Sequence, residues 1–173
     1  MPKLEVIRGR VWKFGENIST TDITPHEMIY ASTHQKPREF VFAAIRPDWK
    51  DKVRPGDCIV AGENFGFGSD RADAYDVMKD LQIGCVVADS IARIFYRAAI
   101  AIGFPAYPCP GVSGIFNEGE EMELDVHNGL VTNLTAGQSI RGKPYPPQLL
   151  EILENGGIMP LLVERARKFP MGP

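Results

Sequence analysis

Apolar positions along this chain occur in short runs separated by turn residues, and two spacings dominate. Residues 3–13 alternate, with Leu4 and Val6 set against charged neighbours, which predicts an opening strand that ends at Phe14-Gly15. Asp57-Cys58-Ile59-Val60-Ala61 is a short apolar run bounded by turn residues, the pattern of a buried strand. Ala74, Val77, Met78 and Leu81 then recur at i, i+3, i+4 and i+7, one face of an amphipathic helix. Ile83 to Ala88 reads as a second buried strand. A strand, loop, helix and strand within about 30 residues make a βαβ unit with parallel strands and a right-handed crossover.

The remaining pattern is coarser. Ser90 is expected to cap a helix whose apolar face is Ile91, Ile94, Phe95, Ala98 and Ile102, stopped by Gly103. Phe104 to Gly111 predicts a short strand entering a proline-rich turn. Glu121 to Val126 alternates, and Asn128-Gly129 marks a hairpin into Leu130 to Leu134. Leu149, Leu150, Ile152 and Leu153 begin a helix at Pro147 that ends at Gly156-Gly157, and a last helical piece covers about 158–168. Residues 31–55 are polar and punctuated by prolines, with a helical patch at Phe40 to Ile45. The segment Gly15 to Pro25 has no core periodicity. Its Ser, Thr and Asp side chains are expected to satisfy backbone N–H groups or to cap a short helix over 26–32.

The resulting class is α/β, and 173 residues suffice for one domain, 1–173, with a substantial core. A net charge of −3 with no basic cluster argues against nucleic acid or an anionic membrane as partner. No leader pattern opens the sequence and no apolar run reaches the roughly 20 residues of a membrane helix, so a cytoplasmic protein is expected. Cys58, Cys85 and Cys109 are widely spaced, with no CxxC, and two of them sit in apolar runs as small hydrophobes. No metal site is expected from them, nor from His26, His34 and His127.

The candidate chemistry lies between the first βα pair, in Ala61-Gly62-Glu63-Asn64-Phe65-Gly66-Phe67-Gly68-Ser69-Asp70-Arg71-Ala72-Asp73-Ala74. Gly62, Gly66 and Gly68 let the backbone turn sharply and bring N–H groups close to a ligand. A strand end, a glycine loop and a helix N-terminus together favour an anion, and Arg71 adds a forked cation suited to carboxylate or phosphate. The glycine spacing fits neither dinucleotide nor P-loop signatures. Many such loops bind nothing, so a purely structural loop is the competing reading. Arg93 and Arg97, four apart, either face solvent or line the site.

These residues resemble a known family. Gly62 to Arg71 is similar to the GxNFGxGSSREHA signature of the small subunit of 3-isopropylmalate dehydratase, the same domain as the swivel domain of aconitase and homoaconitase. Asn17-Ile18-Ser19-Thr20-Thr21-Asp22-Ile23 resembles its N-(I/V)-x-T-D-x-I segment. Ser90 to Arg97 with Gly103-Phe104-Pro105 resembles its SFARIFYRNxxNxGLP stretch. Asn133-Leu134-Thr135 and Leu150 to Gly157 fit its C-terminal end. The resemblance implies a swivelling β/β/α domain with a parallel βαβ core and a C-terminal hairpin and helix. It implies a hydro-lyase that reversibly dehydrates a hydroxy di- or tricarboxylic acid together with a large subunit. That partner carries the [4Fe–4S] cluster in this family, and none is expected on this chain. Carried over by position, Ser69 is the base that removes the proton α to a carboxylate and Arg71 binds a substrate carboxylate. Asp22, Thr21 and Gly68 lie near the substrate, and Met28, Ile29 and Tyr30 form a segment that shapes specificity.

The signature is broken at Asp70, where the family has a second serine. A serine donates a hydrogen bond toward a substrate carboxylate, whereas an ionised aspartate only accepts. Either Asp70 meets the substrate, which then presents a hydroxyl, amide or neutral group there, or it turns away to pair with Arg71 or cap the helix. The alternatives for function are a homoaconitase-like or methylated-malate or citrate dehydratase subunit, or a non-catalytic anion-binding module on the same fold.

Overall fold

The computed structural model describes residues 6–25 and 37–168. Seven strands form one sheet in the order β4-β3-β2-β1-β5-β6-β7: β1 (Val6–Lys13), β2 (Cys58–Ala61), β3 (Val86–Ala88), β4 (Ala106–Pro108), β5 (Glu121–Asp125), β6 (Leu130–Asn133) and β7 (Gln138–Arg141). The helices are α1 (Thr20–Ile23), α2 (Trp49–Lys52), α3 (Ala72–Asp80), α4 (Arg93–Ala101), α5 (Pro147–Glu154) and α6 (Ile158–Lys168). Strands β1 to β4 are mutually parallel, with α3 and α4 as the crossovers between β2, β3 and β4. Strands β5 to β7 are antiparallel. Strand β1 joins the two halves: Val6 to Arg10 pair with β5, and Val11 to Lys13 pair with β2.

Both faces of the parallel half are covered, so β2, β3 and β4 are apolar at every position, while β1 keeps polar residues. Alternate residues feed opposite cores. Ile59, Ala61, Val86 and Ala88 pack with α3, α4 and the aromatic group Trp12, Phe14, Phe42 and Trp49. Cys58, Val60, Cys85 and Val87 pack on the other side with Tyr107, Phe116, Met122 and Leu153. The predicted α3 stripe is the buried one, Leu81 included.

Several expectations are corrected. Phe40 to Ile45 forms hydrogen-bonded turns, because Phe42 takes a positive φ of 54° while its ring is held between Phe14 and Trp49. Ser90 does not cap α4, whose N-cap is Ala92 and carries no side-chain hydrogen bond. Ile94 is exposed, and the buried face of α4 is Phe95, Ala99 and Ile100. Strand β7 was not expected: Gln138, Ser139 and Arg141 are exposed, as suits an edge strand held by backbone pairing. The helix expected over 26–32, together with His26, His34, Met28, Ile29 and Tyr30, lies outside the described residues. No helix among the described residues is long and apolar enough to cross a membrane.

Candidate active site

The glycine loop is one of three chain segments that leave the C-terminal ends of β1, β2 and β3 and bind one another beyond the sheet. Toward the β1 extension, Gly62 N–H donates to Gly15 O (3.1 Å), Asn17 to Glu63 O (2.8 Å), Gly66 to Ile18 O (2.7 Å) and Thr20 to Phe67 O (2.8 Å). Toward the β3 extension, Asn64 N–H donates to Ser90 Oγ (2.8 Å), Phe65 N–H to Ser90 O (3.0 Å) and Ala92 N–H to Phe65 O (2.9 Å). Ser90 therefore fastens the loop. Gly66, at φ 75°, passes so close to Phe95 that a Cβ there would lie 2.3 Å from the ring. The sequence needs glycine here for both conformation and space.

This zipper brings the two predicted motifs together. Ser19 and Asp22 form a capping box on α1: Asp22 Oδ2 accepts from Ser19 N–H (2.8 Å) and Oγ (2.6 Å), and Asp22 N–H donates to Ser19 Oγ (3.0 Å). Asp22 thus caps the helix it lies in, which starts at Thr20, six residues before position 26. Thr20 Oγ1 donates to the carbonyl of Ser69 (3.1 Å) and sits under Gly68, which has φ 106°. Thr21, Gly68 and Ser69 are exposed, and the hydroxyl of Ser69 has no protein partner among the described residues. Arg93 and Arg97 are exposed on α4. Two recesses lined by described residues, one against α4 and α5 and one beside Arg46, hold none of the predicted catalytic or substrate-binding residues.

Arg71 is the unusual residue. It is the N-cap of α3, with no side-chain cap on that helix, and its side chain is 5% exposed. One nitrogen, Nη2, donates to Asp73 Oδ2 at 2.9 Å. Nε and Nη1 are buried with no partner among the described residues. Leaving a buried donor unsatisfied costs about 1–3 kcal/mol, more when charged. A guanidinium kept this way beside a helix N-terminus is arranged for an anion.

Asp70 takes neither expected course of turning away. It forms no ion pair with Arg71 and no cap; its Oδ1 accepts the Tyr75 hydroxyl at 3.1 Å. Burial foremost, then this carboxylate, push the Tyr75 phenol up to about 12. Tyr75 escaped the sequence reading because it lies one residue off the apolar stripe of α3. Its ring is nonetheless buried, edge-on to Phe95 at 6.1 Å.

Cys58, Cys85 and Cys109 are all buried and free, and among the described residues no three His, Cys, Asp or Glu side chains come together as metal ligands. The described residues of this chain offer no ligand set for an iron–sulfur cluster.

Residues 5–104 match the sequence profile of the Aconitase C-terminal domain. The isopropylmalate/citramalate isomerase small subunit of Methanocaldococcus jannaschii is 44% identical over 92% of this chain and 95% of its own length. The methanogen homoaconitase small subunit of Methanothermobacter thermautotrophicus is 40% identical over 89% of each. The crystal structure of 3-isopropylmalate dehydratase from Methanocaldococcus jannaschii superposes with a TM-score of 0.85 at 33% identity, covering 94% of this chain and 96% of that one. With profile, relatives and overall structure in agreement, the chain belongs to the aconitase C-terminal domain family, as a hydro-lyase small subunit of the 3-isopropylmalate dehydratase type.

Proposed function

We propose that this chain is a single swivel domain that acts only with a large iron–sulfur subunit, dehydrating and rehydrating a hydroxy dicarboxylate such as 3-isopropylmalate or citramalate. The observation that carries the reading is an exposed Ser69 hydroxyl two residues from a buried Arg71, two of whose nitrogens have no partner among the described residues. Arg71 binds a substrate carboxylate through its free N–H groups. Ser69, two residues away, accepts the proton α to that carboxylate. A serine alkoxide is a strong base that is costly to form, and the uncapped N-terminus of α3 together with Arg71 lowers that cost. Thr20 holds the Ser69 carbonyl, so the base is fixed from its backbone. Asp22 keeps α1 in place under the loop, with Thr21 and Gly68 on the substrate side.

The partner's cluster would supply Lewis acidity toward the substrate hydroxyl; the described residues of this chain offer it no ligand set. Because Ser69, Gly68 and Thr21 stand on an open surface, docking and closure of the partner are needed to exclude water from the base. Met28, Ile29 and Tyr30 are moderately apolar and favour a small alkyl substituent over a third carboxylate. A homoaconitase-type substrate is the second reading, supported by the name of the Methanothermobacter thermautotrophicus relative.

The test is co-expression with the large subunit of the same genome, followed by anaerobic assays on 3-isopropylmalate, citramalate and homocitrate. Turnover of a dicarboxylate is expected from the complex, with no iron and no activity in the isolated chain. Stoichiometric iron in the isolated chain, or a loaded complex inert toward all three acids, would overturn the reading.

A further inference from the structure

We infer that Tyr75 is a positioning residue that holds the Asp70 carboxylate out of the anion-binding turn, so that a carboxylate substrate still fits beside Arg71. This deepens the functional reading above and rests on it for the identity of the substrate group.

Asp70 and the anion-binding role of Arg71 are in conflict. Asp70 is next in sequence to a guanidinium with two unpartnered, buried nitrogens, and an aspartate so placed would ordinarily satisfy them. It would then occupy the substrate's position, and its charge would repel any carboxylate that approached. The structure resolves the conflict by giving Asp70 another partner, the Tyr75 hydroxyl, while Arg71 is held by Asp73 through Nη2 alone.

Tyr75 is fixed well enough to decide where Asp70 goes. Its ring is buried on α3 against Phe95, and Phe95 in turn packs edge-on to Phe65 (5.4 Å) and lies against Gly66 of the loop. The tyrosine, the phenylalanine and the glycine turn form one packed unit. The hydroxyl is therefore presented at a set place relative to Ser69, Asp70 and Arg71. The phenol stays protonated, and so remains a donor, across the neutral range.

The test is a double-mutant cycle with two readouts. In the complex, Tyr75→Phe keeps the packed ring but frees Asp70. It should raise KM for 3-isopropylmalate about tenfold, the loss expected for a hydrogen bond to a charged group, with kcat within about threefold. In the Asp70→Ser background the same change should leave KM unaltered. An equal KM effect in both backgrounds would overturn the inference and leave Tyr75 as packing. The second readout, urea unfolding of the isolated chain, needs no activity. Tyr75→Phe and Asp70→Ser should be non-additive there, and strict additivity would overturn the inference by itself. An inert wild-type complex would fell the functional reading, while the unfolding cycle would still judge the Tyr75–Asp70 pair.

Discussion

Strands β2 and β3 bury every residue they contain, whereas β5 and β6 bury every second one and β7 buries none fully. The two halves share a sheet, yet their connections differ in kind. In the parallel half each strand must be followed by a crossover, so the chain leaves β1, β2 and β3 at the same edge and three segments converge there. In the antiparallel half the chain turns straight back, as at His127 to Gly129, and its polar side chains serve the turns themselves. Asp125, for example, accepts from the His127 and Asn128 N–H groups. Convergence of unlike segments creates a place for chemistry, and local turns do not. The comparison predicts that substitutions at the convergent edge change rate, while those in the hairpins change only stability.

The largest effect is expected at Ser69. Ser69→Ala in the reconstituted complex should lower kcat by a factor on the order of 10²–10⁴, with KM within about threefold, because a base acts on the transition state. The fold should be untouched, since the side chain is exposed and Thr20 binds the carbonyl that alanine retains. A kcat within about threefold of wild type would return this loop to a structural role and erase the contrast between the halves.

Next comes Asn133 at the end of β6, the most heavily bonded side chain of the antiparallel half. Its Nδ2 donates to Ile115 O and Glu120 Oε2, both at 2.7 Å, and its Oδ1 accepts from Thr135 (3.0 Å) and Ala136 (2.9 Å) N–H groups. Asn133→Ala removes all four bonds at a fully buried site and should cost roughly 2–4 kcal/mol in urea unfolding. The kcat of the folded, assembled complex should stay within about twofold. A large loss of kcat with native stability would show that the hairpins reach the chemistry.

The same contrast explains what could be read from the chain beforehand. Glycine punctuation, the 74-77-78-81 stripe and Asn128-Gly129 are local signals, and each led to the right element. The loop residues from Gly62 to Arg71 were legible because a turn of that kind demands glycine, and because a forked cation at a helix start suits an anion; Ser69 stood out only through the family resemblance. What was not legible depends on partners distant in sequence. Phe42 takes its positive φ for the sake of Phe14 and Trp49. Ser90 looked like a cap, yet binds Asn64 across the loop. Strand β7 has no apolar pattern because it lies at the sheet edge, with Gln138, Ser139 and Arg141 exposed and Ile140 alone of its side chains packed on the core. Asp70 neither pairs with Arg71 nor caps the helix but takes the Tyr75 hydroxyl, since nothing in the spacing shows that this hydroxyl ends within its reach.

The smallest effect is expected where the halves meet. Strand β1 changes partner between Arg10 and Val11, and Asp57 stands beside that point, just before β2. Its carboxylate accepts from Arg10 Nη2 (2.6 Å) and Nε (3.3 Å), Trp12 Nε1 (2.7 Å) and Arg54 N–H (3.0 Å). Burial opposes ionisation of this group, but the Arg10 guanidinium, the Trp12 indole and the Arg54 amide outweigh it and hold the carboxyl below the usual range. A group whose folded-state value is depressed binds its proton more readily when unfolded, so its contribution to stability is complete at neutral pH. It fades as pH falls below about 4, the unfolded value, toward the folded one. Asp57→Asn should therefore be less stable than wild type at pH 7, by less than the Asn133 variant, and the gap should narrow as unfolding is repeated toward pH 3. Because the junction serves both halves and touches no site residue, kcat should not change. A gap independent of pH would mean that packing around Trp12, rather than the charge on Asp57, ties the parallel half to the antiparallel one.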